Sequence, residues 1–141
     1  MELLLLLSAL FIPVLPFLEQ HIGIYGRLMC GTAPLCGSPV QLWSNKVLGV
    51  SHEIASNTTD GNGFFRIHGN ESSVFPLNLR MKIMHHCLSP SPCIRKVNLP
   101  LPSEYIFRGS GVWKWFDAGR LNLAYRFPNE KLSCQNKTVK T

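Results

Sequence analysis

The chain has 141 residues, 45% apolar and 16% charged, and its 14 Lys and Arg outnumber 8 Asp and Glu to give a formal charge of +6 at pH 7. Setting aside an apolar N-terminal run leaves roughly 120 residues, enough for one modest core and too few for a second domain. The positive balance invites anionic partners.

Residues 3–18, "LLLLLSALFIPVLPFL", are uncharged and precede a much more polar remainder. This reads as a secretory signal peptide occupying residues 1–20. A spanning helix needs about 20 apolar residues, and this run contains Pro13 and Pro16, so a stable membrane span is not expected. The run has Glu2 but no Lys or Arg, and no A-x-A-like site follows it, which leaves the mature start anywhere from Glu19 to Ile24. Export places Cys30, Cys36, Cys87, Cys93 and Cys134 where thiols pair and stay paired. It also removes the chain from nucleic acid.

Strand periodicity runs through the rest. "VQLWSN" from Val40 alternates, and "GFFRIHG" follows the turn signal Asp60-Gly61-Asn62-Gly63. In "PLNLRMKIMHHC", Leu77, Leu79, Met81 and Ile83 share one face and Asn78, Arg80 and Lys82 the other. "IRKVNLPLP" repeats the pattern. "RLNLAYRFP" predicts a strand with Leu121, Leu123, Tyr125 and Phe127 on one side, and "GVWKWF" one with Trp113 and Trp115 facing the core. About seven short strands between Gly, Pro and Asn turns predict an all-β, antiparallel sandwich. Sequons at Asn57, Asn70 and Asn136 are candidate glycan acceptors.

The segment "MHHCLSPSPCIRK" gathers two histidines and two cysteines. A tetrahedral metal site would need more ligands, and neighbours His85 and His86 point to opposite faces of a strand. A Cys–His nucleophile lacks an orienting third residue. A disulfide between Cys87 and Cys93 across "LSPSP" is the reading preferred here, because the prolines favour a tight turn. The residues alone leave Cys30, Cys36 and Cys134 with three possible pairings, and one thiol is left over in each.

The blocks "GRLMCGTAPLCGSPVQLW", "TTDGNGFF", "MKIMHHC", "PCIRKVNLPLPSEYI" and "FDAGRLNLAYRFPNEKLSC" together resemble the nematode transthyretin-like family of small secreted proteins. The resemblance spans residues 23–134 and leaves a tail at 135–141. It implies a transthyretin-like (prealbumin-type) β-sandwich, secreted and extracellular, with four cysteines in two bridges. By position these are Cys30, Cys87, Cys93 and Cys134. With Cys87 bonded to Cys93, that pairs Cys30 with Cys134 and leaves Cys36 unpaired.

Two departures from the family pattern bear on function. The segment where the family often carries an acidic loop reads "SNKVLGVSHEIASNTT", with only Glu53, so no cation site is expected there. Related hydrolases of 5-hydroxyisourate end in Tyr-Arg-Gly-Ser, whereas here "FRGS" is internal, at residues 107–110. His52, His68, His85 and His86 occupy no recognisable catalytic context, so no enzyme and no cofactor are expected. The expected role is an extracellular binding or bridging protein whose partner is an unknown ligand, a cell-surface receptor or an anionic lipid. The alternative is a structural surface component. Arg80, Lys82, Arg95 and Lys96, flanking the 87–93 loop, are the candidate binding residues.

Overall fold

A computed structural model of the chain describes residues 18–45 and 49–134. The expected signal segment, up to residue 17, and the Asn136 sequon lie outside them. Ten strand segments follow in order: β1 (Glu19–Cys30), β2 (Ala33–Pro34), β3 (Pro39–Asn45), β4 (Ser51–Thr58), β5 (Phe64–Ser72), β6 (Asn78–His85), β7 (Cys93–Pro100), β8 (Phe107–Arg108), β9 (Phe116–Asn122) and β10 (Lys131–Cys134). One sheet is built around β1, with β5 and β2 antiparallel to it and β8 and β9 also pairing with it, β9 in parallel. The other runs β10-β7-β6-β3-β4 and is antiparallel throughout.

Alternation dictates what lies between the sheets. Ile22, Ile24 and Leu28 of β1 pack against Leu79, Met81 and Ile83 of β6, with Val40 and Leu42 of β3 beside them. The turn from β4 to β5, which carries the chain from the second sheet to the first, falls where the Asp-Gly-Asn-Gly signal predicts it. Asp60 Oδ1 accepts the N–H groups of Asn62 and Phe64, each at 2.9 Å. Gly63 has φ 83° and a Cβ there would collide with the Leu28 carbonyl, so the turn requires glycine.

Two expected strand readings are corrected. β9 stops at Asn122, whose Oδ1 accepts from Gly31 N (2.9 Å) and Ala124 N (3.0 Å) and so draws the chain out of the sheet. Leu123 is consequently buried while Tyr125 is 71% exposed. Residues 113–115 form no strand. Trp115 lies against Gly23 on the outer face of the β1 sheet, where a Cβ would come within 2.6 Å of its ring, and Trp113 is 72% exposed, stacked on Phe107.

The expected cysteine pairing is also corrected: the bridges are Cys30 to Cys87 and Cys93 to Cys134, with Cys36 exposed. Nearness in sequence does not decide either bridge. β10 adds to the other edge of β7 and sets Cys134 directly opposite Cys93, their Cα atoms 4.0 Å apart. Leu88, at φ 49°, turns the chain just after buried Cys87. Its partner is Cys30 at the end of β1, with Cα atoms 5.6 Å apart, so this bridge joins the two sheets.

Arg95 is 2% exposed and points inward, which removes it from the binding candidates. Its odd position on β7 shares the inner face with Cys93 and Val97. Its five N–H groups are all used. Nη1 donates to Cys87 O (2.7 Å) and Leu123 O (2.8 Å), Nη2 to Tyr125 O (3.0 Å) and Glu130 Oε1 (2.9 Å), and Nε to Glu130 Oε2. The Arg95 bond holds the Glu130 carboxyl below its ordinary pKa against the opposing effect of burial, and the Phe127 N–H helps.

Replacing Glu130 by Gln is expected to cost about 3–5 kcal/mol by stranding a buried guanidinium, read as a lower urea midpoint. Non-reducing peptide mapping should recover peptides joining Cys30 to Cys87 and Cys93 to Cys134; a peptide joining Cys87 to Cys93 would contradict the fold as described.

Candidate functional site

Strand register collects positive charge on the outer face of the second sheet. Even positions of β6 and β7 face outward there, including Arg80 and Lys82 on one strand and Lys96 and Asn98 on the next. Lys82 stands opposite Asn98, and Lys96 stands opposite Met84 on one side and Lys131 of β10 on the other. Arg80, Lys82, Lys96 and Lys131 thus surround a recess of about 390 Å³, whose lining Val97, Asn98 and Asn129 complete.

Local contacts fix two of these cations. Arg80 Nε donates to Asn98 Oδ1 at 2.6 Å. Lys82 Nζ lies 3.9 Å from the centre of the Trp43 ring, and Trp43 Nε1 donates to Gln41 Oε1 at 2.8 Å. The Lys82 ammonium is held below the ordinary lysine pKa, first by burial and then by the charges of Lys96, Arg80 and Lys131. No carboxylate counters that repulsion among the described groups acting on Lys82.

Three of the four binding candidates therefore meet on one face. Arg95 does not join them, and Lys131 takes its place. Lys131 was missed because its register opposite Lys96 depends on β10 crossing to the second sheet, a long-range pairing that periodicity does not contain. The recess, a cleft walled by cations and carboxamides, can hold an anionic group.

The histidines do not converge. His52 Nε2 pairs with Glu71 Oε2 at 3.0 Å, and His86 Nδ1 meets Cys93 O at 3.2 Å. His21 and His68 are nearly coplanar, with His21 Nδ1 and His68 Nε2 3.0 Å apart and His21 Nε2 3.2 Å from Glu19 Oε1. The His68 pKa is lowered by burial and then by His21. Arg108 of the internal "FRGS" donates to Ser73 O (3.2 Å) and Val74 O (2.8 Å), anchoring a loop. No group of three or more His, Cys, Asp or Glu side chains able to hold a metal occurs among the described residues, and no helix there is long and apolar enough to cross a membrane.

The candidate glycan acceptors lie away from the recess. Asn57 is on β4, at the far edge of the sheet, and its Nδ2 donates to Arg66 O at 2.8 Å. Asn70 is exposed on β5, in the other sheet, opposite His21.

Among known proteins, the model of the transthyretin-like family matches residues 25–102. Transthyretin-like protein 5 of Caenorhabditis elegans is 36% identical over 117 residues, 82% of this chain and 84% of that protein. Transthyretin-like protein 46 of the same organism is 34% identical over 133 residues, covering 92% and 74%. Transthyretin-like protein 33 is 29% identical over 120 residues, 84% of each.

His85 is 2% exposed; its Nδ1 accepts from Cys87 N at 3.0 Å, and its Nε2 has no hydrogen-bond partner among the described residues. Burial, then the Arg95 charge, lowers its pKa from 6.5 to about 4. The unfolded chain therefore binds a proton that the folded one refuses between those two values, so stability is whole above pH 6.5 and declines as pH falls toward 4. The expected loss across that window is on the order of 3 kcal/mol. Urea midpoints at several pH values check it: His85→Asn, which keeps an acceptor for the Cys87 N–H, should flatten the slope.

Proposed function

We propose, for a chain that belongs to the transthyretin-like family, a binding rather than a catalytic role: an exported extracellular protein that takes an anionic partner on the outer face of the β10-β7-β6-β3-β4 sheet. The observation that carries this reading is the meeting of Arg80, Lys82, Lys96 and Lys131 around one recess. Like charges so arranged oppose folding, and an anionic ligand relieves the repulsion. Export is supported by the apolar N-terminal run and by two disulfides, which persist in oxidising compartments. Glycans on Asn57 and Asn70 would leave the face open. Catalysis is disfavoured because the histidines are spent separately: His52 on Glu71, His86 on the Cys93 carbonyl that also takes the Ser89 hydroxyl, His21 and His68 on each other, and His85 in the interior.

Two double variants of equal net charge test this. Lys82→Gln with Lys131→Gln removes charge from the face; Arg120→Gln with Arg126→Gln removes it elsewhere. Binding to phosphatidylserine vesicles and to dextran sulfate, at low and high salt, should fall roughly five- to tenfold for the first pair and little for the second. Salt should weaken binding, as expected of screened exposed charges. Equal losses for both pairs would reduce the effect to net charge and end the case for a site.

A further inference from the structure

The stretch of β7 beside the basic recess has an open edge. β10 pairs only with residues 93–96 of β7. From residue 97 to residue 100 the strand is paired with β6 on one side and with no described strand on the other. β9, facing it across the sandwich, pairs only with β1. The flank is therefore open in both sheets, between the crossing of residues 101–106 and that of residues 123–130.

Different chemistry lies on the two sides of that edge. Outward is the recess of Lys96, Asn98 and Lys131, backed by Arg80 and Lys82. Inward is a slot of about 190 Å³, lined by Met81, Leu99 and Leu101 from the second sheet and by Phe116, Ala118 and Leu121 from the first. Leu99 is only half-buried, although its neighbour Val97 is fully so.

We infer that residues 97–100 of β7 are a strand-addition site for an extended acidic polypeptide with alternating acidic and apolar side chains. A strand laid along this edge, in line with β10, sends successive side chains to opposite faces. Carboxylates then enter the basic recess, aliphatic groups fill the slot, and main-chain hydrogen bonds to the free edge supply affinity. Charge complementarity selects the acidic half of the pattern, and the slot selects the apolar half. A bilayer or a sulfated polysaccharide satisfies the recess but leaves both the slot and the edge unfilled. Odd-numbered amides of β7 face β6, so residues 98 and 100 face the open edge; Pro100 has no N–H, and Asn98 keeps its N–H, so the edge is only partly guarded.

The inference rests on the basic face being the binding site, and the test separates the two. The probes are a ten-residue Glu/Val alternating peptide, a polyglutamate of equal charge, and two copies of the alternating peptide N-methylated at either its Glu or its Val positions. Alternate N–H groups of a strand point to one edge, so one of the methylated peptides presents a blocked edge to β7 while the other does not.

With the intact secreted protein, the alternating peptide should bind about tenfold more tightly than polyglutamate, and one methylated copy should lose about tenfold, as expected for two or so lost main-chain bonds. Slowed amide exchange at Asn98, whose N–H faces the open edge, should accompany binding. Equal affinity for polyglutamate and both methylated copies would overturn strand addition while leaving the basic face as the site. Failure of every polyanion to bind would overturn both. A protein that self-associates through residues 97–100, seen as dimer mass with the Asn98 amide protected before any peptide is added, would assign the edge to a second copy and overturn the inference.

Discussion

Arg95 brings five N–H donors into the interior, and the acceptors it finds come from three separate stretches of chain: the end of β6 at Cys87, the outgoing loop at Leu123 and Tyr125, and Glu130 just before β10. A buried guanidinium with any donor unmet is costly, so this set fixes where the chain leaves one sheet and enters the other. The bridge from Cys93 to Cys134 then locks β10 against β7, and that from Cys30 to Cys87 ties the sheets together at the same end. The position of β10 has two results. It brings Lys131 abreast of Lys96, and it stops short of Val97. The charged face and the bare stretch of β7 both descend from one inward-facing arginine.

The same residue marks the boundary of what the sequence discloses. Period-two alternation in β3, β5, β6 and β7 is a local property, and it sorted Leu79, Met81 and Ile83 from Arg80 and Lys82 correctly. The alternation also sends Arg95 and Lys96 to opposite faces. The period of Val97, Leu99 and Leu101 puts Arg95 on the inner face, but the carboxylate that satisfies it there, Glu130, is 35 residues away in sequence and no local pattern announces it. The cysteines failed for a related reason: adjacency along the chain suggested Cys87 with Cys93, whereas the partners are 57 and 41 residues distant. In "RLNLAYRFP" the apolar period continues past Asn122, but the Asn122 side chain competes for backbone N–H groups and ends the strand. Family resemblance gave the sandwich as a whole because it encodes such distant pairings, while the recess, which depends on one register, lay beyond it.

Two of the ionic groupings among the described residues differ in kind. Arg95 and Glu130 are desolvated and mutually satisfied, so they act on stability and on its response to acid. The four cations of the outer face are solvated on one side and repel one another, so they act on what approaches from outside. Trp43 moderates that repulsion by offering its ring to Lys82.

The arrangement of the first sheet sets an order of assembly. Its central strand, β1, is the first of the described strands, yet apart from the two residues of β2 its partners are residues 64–72 on one edge and 107–122 on the other. Strands β3, β4, β6 and β7 of the second sheet are complete by residue 100. During vectorial synthesis β1 therefore waits, with Ile22, Ile24 and Leu28 uncovered, until β5 and β6 have followed, and its second edge stays largely open until residues 107–122 arrive. Contacts this distant in sequence are slow to form, and an apolar strand left waiting is the species that aggregates. A chaperone that shelters the β1 segment would act on the most vulnerable interval in the life of this protein.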